Sequence, residues 1–338
     1  MIVVNGYFRS QVISGQQRYA REIADRLPEL IPGVEELRPT RASRSRYAQW
    51  IELQLRVPVR ARRSTLLSLT SRSPVLPGRQ VVTVHDLFPL THPEWFAPAY
   101  ARLHRRVLRH HLEHAAGFVT VSEPVADEVR AELGRDVPVV VAPNAATTDL
   151  VVGTGTSRLV RPPTYLLAVG NLEPRKNLPR LMRAYGHLDA AVRQAFPLLV
   201  VGQVAAAFRS EPGLAATLPS GVELLGRVSD ADLAALYRSA TAYVSVSLAE
   251  GFGIPVVEAA AAGTGHLVLS ELPVYRWIAD TSGAIFVDPL SEESITDGLL
   301  KATCTHPDVV STRAIADRFS WESSARTVAG LSLEVDVA

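Results

Sequence analysis

Short apolar runs alternate with longer stretches of helical spacing along this chain. Residues 2–5 (IVVN), 81–84 (VVTV), 118–121 (FVTV) and 138–142 (PVVVA) are β-branched and continuous, and the pattern predicts strands. Helical spacing predicts helices over 14–27, 97–115 and 122–133; the first carries Tyr19, Ile23, Ala24 and Leu27 on one face. After residue 163 the rhythm restarts. Strands are expected at 165–170, 197–202, 222–226, 242–247, 267–270 and 284–287, with helical segments between most of them. Apolar runs without alternation belong to strands covered on both faces, as in parallel sheets. The βα order, met twice, predicts an α/β protein of two doubly wound Rossmann-like domains. Residues 1–150 form the first. Residues 151–163 (VVGTGTSRLVRPP), rich in Gly, Thr and Pro, read as the linker, and the second domain starts at 164. Ligands of such sheets bind at the carboxyl ends of strands, so the cleft between the domains is the expected site.

Composition adds a few limits. With 338 residues, 47% hydrophobic and 20% charged, the chain has enough core for two ordinary domains. No apolar run is long enough to span a bilayer, and the start lacks the pattern of a secretory signal. A cytoplasmic protein is expected, with the single cysteine, Cys304, a small buried residue. The net charge of +1 hides an asymmetry. Residues 1–120 hold 18 Arg, no Lys and 9 acidic residues, which leaves 17 basic and 25 acidic residues for the rest. A basic first half suits an anionic surface, or it is a scatter of arginines. No nucleic-acid recognition motif accompanies it. No G-x-G-x-x-G follows the first strand, which argues against a nicotinamide dehydrogenase.

The chemistry concentrates in SLAEGFGIPVVEAAAAG, residues 247–263. A buried strand ends on Glu250, two glycines turn the chain, and a helix begins near Ile254–Pro255, where proline is favoured. Gly251 and Gly253 allow a tight turn and close approach of a ligand. The free N–H groups of such a helix start suit phosphate. Glu250 and Glu258 flank that anion site and suit hydroxyl groups, which donate to carboxylates. A phosphate with hydroxyls on both sides is a nucleotide sugar. An ordinary reading also exists, since a glutamate near a helix start gains about 0.3–1 kcal/mol from the dipole. That covers Glu258 and leaves Glu250 and the glycines unexplained.

E-G-F-G-x-P-x-x-E followed by A-x-A-x-G resembles the retaining GT-B glycosyltransferases of family four, the glycosyltransferase group 1 proteins of mannosyl- and rhamnosyltransferase type. The resemblance extends over nearly the whole chain and is strongest at 165–290. It implies that Glu250 touches the donor sugar, that Glu258 holds the ribose, and that Gly251, Phe252, Gly253 and Ile254 line the donor. Arg175 and Lys176, beside Asn171, would hold the diphosphate, and two adjacent cations suit such a leaving group. His85, after the 81–84 run, would face the donor sugar, and Gly15 would let its loop approach diphosphate or acceptor. Asp86 orients His85 or caps a turn. Arg227 and Val228 would meet the base through backbone. In Asp230-Ala-Asp232, Ser229 reads as a helix cap with Asp232 three residues on, so no metal and no cofactor are expected. Residues 319–338 would form a closing helix that crosses back to the first domain, ending the second domain at 318.

The resemblance further implies transfer of a hexose from a nucleoside diphosphate sugar to a glycan or lipid-linked acceptor in cell-surface polysaccharide synthesis. GDP-mannose is the first donor expected, with dTDP-rhamnose and UDP-glucose open. The helix at 97–115 carries Arg102, Arg105, Arg106, Arg109, His110 and His111, a candidate face for acceptor or anionic inner-leaflet lipid. Three positions depart from the family pattern. Ala145 replaces a glycine, His266 a proline and Trp277 a glutamate, and the last two are expected beside the donor pocket. They keep a catalytically silent, partner-binding homologue as an alternative, and a sugar-nucleotide 2-epimerase is a further one.

Overall fold

The structure, a computed structural model, describes residues 1–40, 46–75, 79–147, 159–202, 218–279 and 283–337. Two parallel six-stranded sheets carry it. The first contains β1 (Ile2–Asn5), β2 (Glu35–Leu37), β3 (Thr65–Ser68), β4 (Gln80–Val84), β5 (Gly117–Thr120) and β6 (Val139–Val141), in the order β2-β1-β3-β4-β5-β6. The second contains β7 (Leu166–Val169), β8 (Leu198–Val201), β9 (Val222–Gly226), β10 (Ala242–Ser245), β11 (His266–Ser270) and β12 (Ile285–Val287), in the order β12-β11-β10-β7-β8-β9. Both orders are those of doubly wound α/β sheets. In the second, the winding reverses between β7 and β10, and the crevice at such a reversal is where ligands bind.

The chain divides into two compact units. One is residues 1–94, 98–144 and 320–338; the other is 95–97 and 145–319. Of the expected linker, 151–158 lie outside the described residues. The described remainder already packs in the second unit, where Arg161 Nη2 donates to Ser239 Oγ at 3.1 Å.

Each unit has its own core. In the first, Val82, Val84, Phe118, Leu112, Val125 and Val129 cluster under β4 and β5. The last helix, Trp321–Val337, completes this unit and buries Trp321, Val328, Leu331 and Val335. It lies so close to β5 that a Cβ on Gly117 would stand 3.3 Å from Leu331 Cδ1. Asp336 ties both ends of the chain together, accepting from the Met1 amino group at 2.6 Å and from Thr65 Oγ1 at 2.9 Å. In the second unit Leu166, Leu198, Val244, Val268, Ile295 and Leu299 are fully buried.

Several elements escape the hydrophobic pattern. β2 is three residues with one buried side chain, while β3 is four residues and buried throughout. The helix Arg46–Ala61 contains Pro58 and buries Leu53 and Val57 while Ile51, Leu55 and Val59 stay exposed, so its apolar period is blurred. Cys304 is also corrected: it ends the helix Glu292–Cys304 and is exposed, because the buried stripe of that helix runs through Ile295, Leu299 and Ala302. No helix among the described residues is long and apolar enough to cross a membrane.

Candidate functional site

The loops after β7 and β10 meet at the reversal point of the second sheet. β7 ends at Val169, and Gly170 follows; a Cβ there would stand 3.1 Å from Lys176 Cε, so glycine gives the lysine stem room over the strand end. The chain then makes a single 3₁₀ turn, Pro174–Lys176, and Asn177 closes it in the left-handed region at φ 55°. Among the described residues Asn177 is the one non-glycine with positive φ. Such backbone persists only where surroundings fix it. Here the Asn177 amide donates to the carbonyls of Val246 (3.1 Å) and Pro289 (2.7 Å), and its oxygen accepts from Arg180 at 3.0 Å. Leu248 N donates to Arg175 O at 2.7 Å. The two loops are therefore pinned to each other by backbone as well as by side chains.

On this frame sit four charges. Glu250 Oε2 pairs with Arg175 Nη1 at 2.6 Å, and Glu250 Oε1 pairs with Lys176 Nζ at 2.5 Å. Arg175 Nη2 pairs with Glu173 at 2.6 Å. The Glu250 side chain is 6% exposed and that of Glu173 is 3%. Burial alone would push Glu250 up, but the Arg175 and Lys176 charges, with hydrogen bonds from Lys176 and Ser247, hold it at about 2. Glu173 goes the other way. Burial raises it, and Arg175 and Lys176 offset this only in part while Glu250 adds to it. Behind Glu250 runs a buried polar chain: Tyr275 Oη to Ser245 Oγ at 2.6 Å, Ser245 to Ser247 at 3.4 Å, and Ser247 Oγ to Glu250 Oε1 at 2.9 Å.

The glycine turn follows. Gly253 caps the helix Ile254–Ala262 at φ 106°, and a Cβ there would lie 2.7 Å from the Tyr275 ring. Both facts demand glycine. Gly251, Phe252 and Gly253 are buried, with Ile254 partly so. Phe252 meets Trp277 (6.2 Å) and Phe319 (5.3 Å) edge-on, so Trp277 braces the turn by packing. Glu258 lies in the second turn of the helix, 4% exposed, and accepts from Tyr237 Oη at 3.1 Å. Arg175, Lys176, Glu250 and the glycine turn thus converge at the carboxyl edge of β7 and β10, and Glu258 follows in the helix that the turn starts. Asn171 follows β7 and is exposed; Arg227 and Val228 follow β9 on the same edge. Ser229 caps the helix Asp230–Ser239 and bonds Asp232, which accounts for the D-x-D pattern.

His266 is corrected. It is the first residue of β11, and β11 runs parallel to β10, so it stands at the sheet edge opposite the glutamates. Four residues of strand put it roughly 13 Å from Ser270. It bonds the Thr305 carbonyl at 3.1 Å. Ala145 is buried at the start of the second unit's main segment.

Within the first unit, His85 follows β4 at the same carboxyl edge as the end of β3. Its Nε2 donates to the Leu69 carbonyl at 3.0 Å, and the Tyr19 ring stands edge-on at 5.1 Å. A carbonyl only accepts, so Nε2 carries the proton and Nδ1 the lone pair. Burial lowers His85 to about 4, partly countered by the Leu69 bond, so the ring is neutral at pH 7. Asp86 accepts from Phe88 N at 3.2 Å and caps the turn after the strand. Gly15 is exposed at the first position of the helix Gly15–Leu30. Arg102, Arg105, Arg106 and Arg109 are exposed on the helix Pro98–His114, and none is ion-paired among the described residues. His111 leaves that face: it is buried, with Nε2 2.5 Å from Ser73 Oγ.

Sequence reasoning missed Glu173, Asn177, Tyr237, Ser247 and Tyr275. Glu173 had a signal, two residues before Arg175. Ser247 lies three positions before Glu250. Asn177, Tyr237 and Tyr275 carry no pattern, because their roles arise from contacts 21 to 112 positions away.

Known proteins give a consistent picture. Residues 157–304 match the model of glycosyl transferases group 1, and residues 59–150 that of glycosyltransferase family 4. The chain is 27% identical to an O-antigen chain mannosyltransferase B of Escherichia coli over 72% of its own length and 68% of the relative's. It is 28% identical to an O-antigen chain mannosyltransferase of Salmonella typhimurium, over 73% and 67%. Among solved structures, the Anabaena protein HepE in complex with UDP is similar with a TM-score of 0.68 at 16% identity, covering 97% of this chain and 98% of that one.

Proposed function

Since the chain belongs to the family-four, group 1 glycosyltransferases and has their GT-B fold, we propose that it transfers mannose, with retention, from GDP-mannose to a growing surface polysaccharide or its lipid-linked precursor. The observation that carries this is the convergence of Arg175, Lys176, Glu250 and the Gly251–Gly253 turn at the reversal point of the second sheet. Mannosyltransferases of O-antigen chains are among the relatives, which supports the sugar and the product class. rhamnose and glucose are the next donors, and the similar structure with bound UDP keeps the base open.

In this reading the second unit binds the donor and the first the acceptor. Glu258, oriented by Tyr237, accepts from the ribose hydroxyls. Arg175, Lys176 and the helix start at Ile254 take the diphosphate, and Glu250 takes hydroxyls of the sugar. Two cations and backbone N–H groups neutralise the leaving group, so no metal and no cofactor are called for. The bond from sugar C1 to phosphate oxygen breaks while C1 bonds the acceptor oxygen on the same face. The acceptor proton passes to the departing phosphate. Glu250, an ionised carboxylate, orients the sugar and is not the nucleophile. His85, in the first unit, accepts a hydrogen bond from an acceptor hydroxyl through Nδ1. The exposed arginines of Pro98–His114 dock the chain on anionic lipid, where a lipid-linked acceptor would lie.

A thermal-shift screen with GDP-mannose, GDP, dTDP-rhamnose, UDP-glucose and UDP tests the donor. A ligand at 100 times its Kd stabilises by about 2.7 kcal/mol. A shift with GDP-mannose, lost in Glu258→Ala, is expected; no shift with any nucleotide overturns the reading. The anomeric configuration of the product, read by NMR, tests retention. Co-sedimentation with anionic and neutral vesicles tests docking, and equal binding to both argues against it. No observation favours the silent homologue: His266 is remote from the site and Trp277 supports the glycine turn.

A further inference from the structure

Arg175 and Lys176 already hold an anion. Both terminal nitrogens of the Arg175 guanidinium are taken, Nη1 by Glu250 and Nη2 by Glu173, each at 2.6 Å, and Lys176 Nζ lies 2.5 Å from Glu250. Arg175 Nη1, which also reaches the Ala249 carbonyl at 3.4 Å, and Lys176 Nζ are the charged nitrogens a phosphate would seek here. A phosphate that takes both competes with the Glu250 carboxylate for them. Glu173 need not move, and it keeps Arg175 anchored through Nη2 while Nη1 changes partner.

The displaced carboxylate has a problem of its own. It is buried, and of its protein donors only Ser247 Oγ, at 2.9 Å, is not one of the two cations among the contacts described. A buried charge that loses its partners is strongly destabilising unless new donors arrive. Sugar hydroxyls are such donors. A free nucleoside diphosphate has none to offer at that place.

Resting on the donor-site reading above, we infer that Glu250 exchanges partners with the diphosphate, and thereby selects the intact nucleotide sugar over the nucleoside diphosphate product. Donor binding swaps two ion pairs for two phosphate contacts and gives Glu250 hydroxyls to accept from. Product binding breaks the same pairs and leaves the carboxylate short. The product is disfavoured by that difference, which speeds its departure after transfer.

The test is calorimetric titration of the whole protein with GDP against GDP-mannose and with UDP against UDP-glucose. Glu250→Gln removes the competing anion at nearly constant shape. GDP or UDP is expected to bind about tenfold tighter to this variant, since an anion in contact with the ligand's own cations is gone. The sugar nucleotide should gain less or weaken, so the preference for the intact donor collapses. Ser247→Ala removes the one donor left to a displaced Glu250, so it should weaken GDP or UDP binding by a smaller factor, and it guards against poor folding of the first variant. Weaker or unchanged diphosphate binding in Glu250→Gln, or tighter or unchanged diphosphate binding in Ser247→Ala, overturns the exchange while the donor-site reading stands. If the unaltered protein binds no nucleotide of either pair, the donor-site reading fails and this inference with it.

Discussion

At the scale of single residues, the site depends on side chains that hold the acidic pair rather than on the pair alone. Tyr237 donates to a Glu258 that is otherwise sealed from water. Removing a donor from a buried acceptor costs about 1–3 kcal/mol, more for a charged one. Tyr237→Phe should therefore lower nucleotide affinity about tenfold and reduce the melting temperature by a few degrees. Titration and calorimetry check both, and unchanged affinity would show that Glu258 needs no such help. Gly253 is a second such point. At φ 106° and with the Tyr275 ring 2.7 Å from the place of a Cβ, Gly253→Ala combines backbone strain with a clash. Strain of this kind costs of order 1–3 kcal/mol before the clash is added. Thermal unfolding should show at least that loss, and because Tyr275 heads the polar chain to Glu250, donor binding should weaken too.

At the scale of elements, the last helix illustrates how far a segment can lie in sequence from its packing partners. Trp321, Val328, Leu331 and Val335 bury against the first sheet, some 200 or more residues from β5. Burying a large apolar side chain contributes about 1.5–3 kcal/mol. A chain cut after Phe319 should lose several such terms, all in the first unit. Proteolysis is expected to digest residues 1–144 rapidly while a fragment starting near 145 survives. Equal resistance of both units would mean the helix adds little. The turn Pro174–Lys176 is the opposite case: three residues, made rigid by Asn177 reaching two distant carbonyls. The cation pair owes its position to that bracing, not to the helix that follows.

At the scale of the molecule, the two units should respond differently to acid. In the first, burial holds His85 and His104 at about 4 and His111 at about 3, all below the ordinary 6.5. Each binds its proton more readily when unfolded, so stability is full above pH 6.5 and falls as pH drops toward 4. Each contributes on the order of 1.4 kcal/mol per pH unit across its window. In the second unit Glu250 lies at about 2 against an ordinary 4.5. Its contribution is present above 4.5 and is lost only as pH falls toward 2. Calorimetry between pH 8 and 4 should show the first unit's transition moving down from pH 6.5 while the second holds. Transitions that stay together across this range would contradict the assignment.

Sequence alone determined the elements and the chemistry that are local. Continuous β-branched runs mark the strands of parallel sheets because both faces are covered. The order strand, carboxylate, glycine turn, helix marks the candidate site because each residue type there has a local geometric reason. Glu250, Glu258, Arg175 and Lys176 could be read for that reason, as could the capping role of Ser229. Tertiary structure decided the rest. β2 is too short and the helix Arg46–Ala61 too exposed to leave a period. His266 looked close to the site along the chain, yet a strand's length separates it. Which partners Glu250 takes, and that Glu173, Asn177, Tyr237 and Tyr275 position them, follows from the reversal of winding between β7 and β10. That reversal brings loops about 75 residues apart into contact, and distances of that kind are set by packing, to which no local pattern is sensitive.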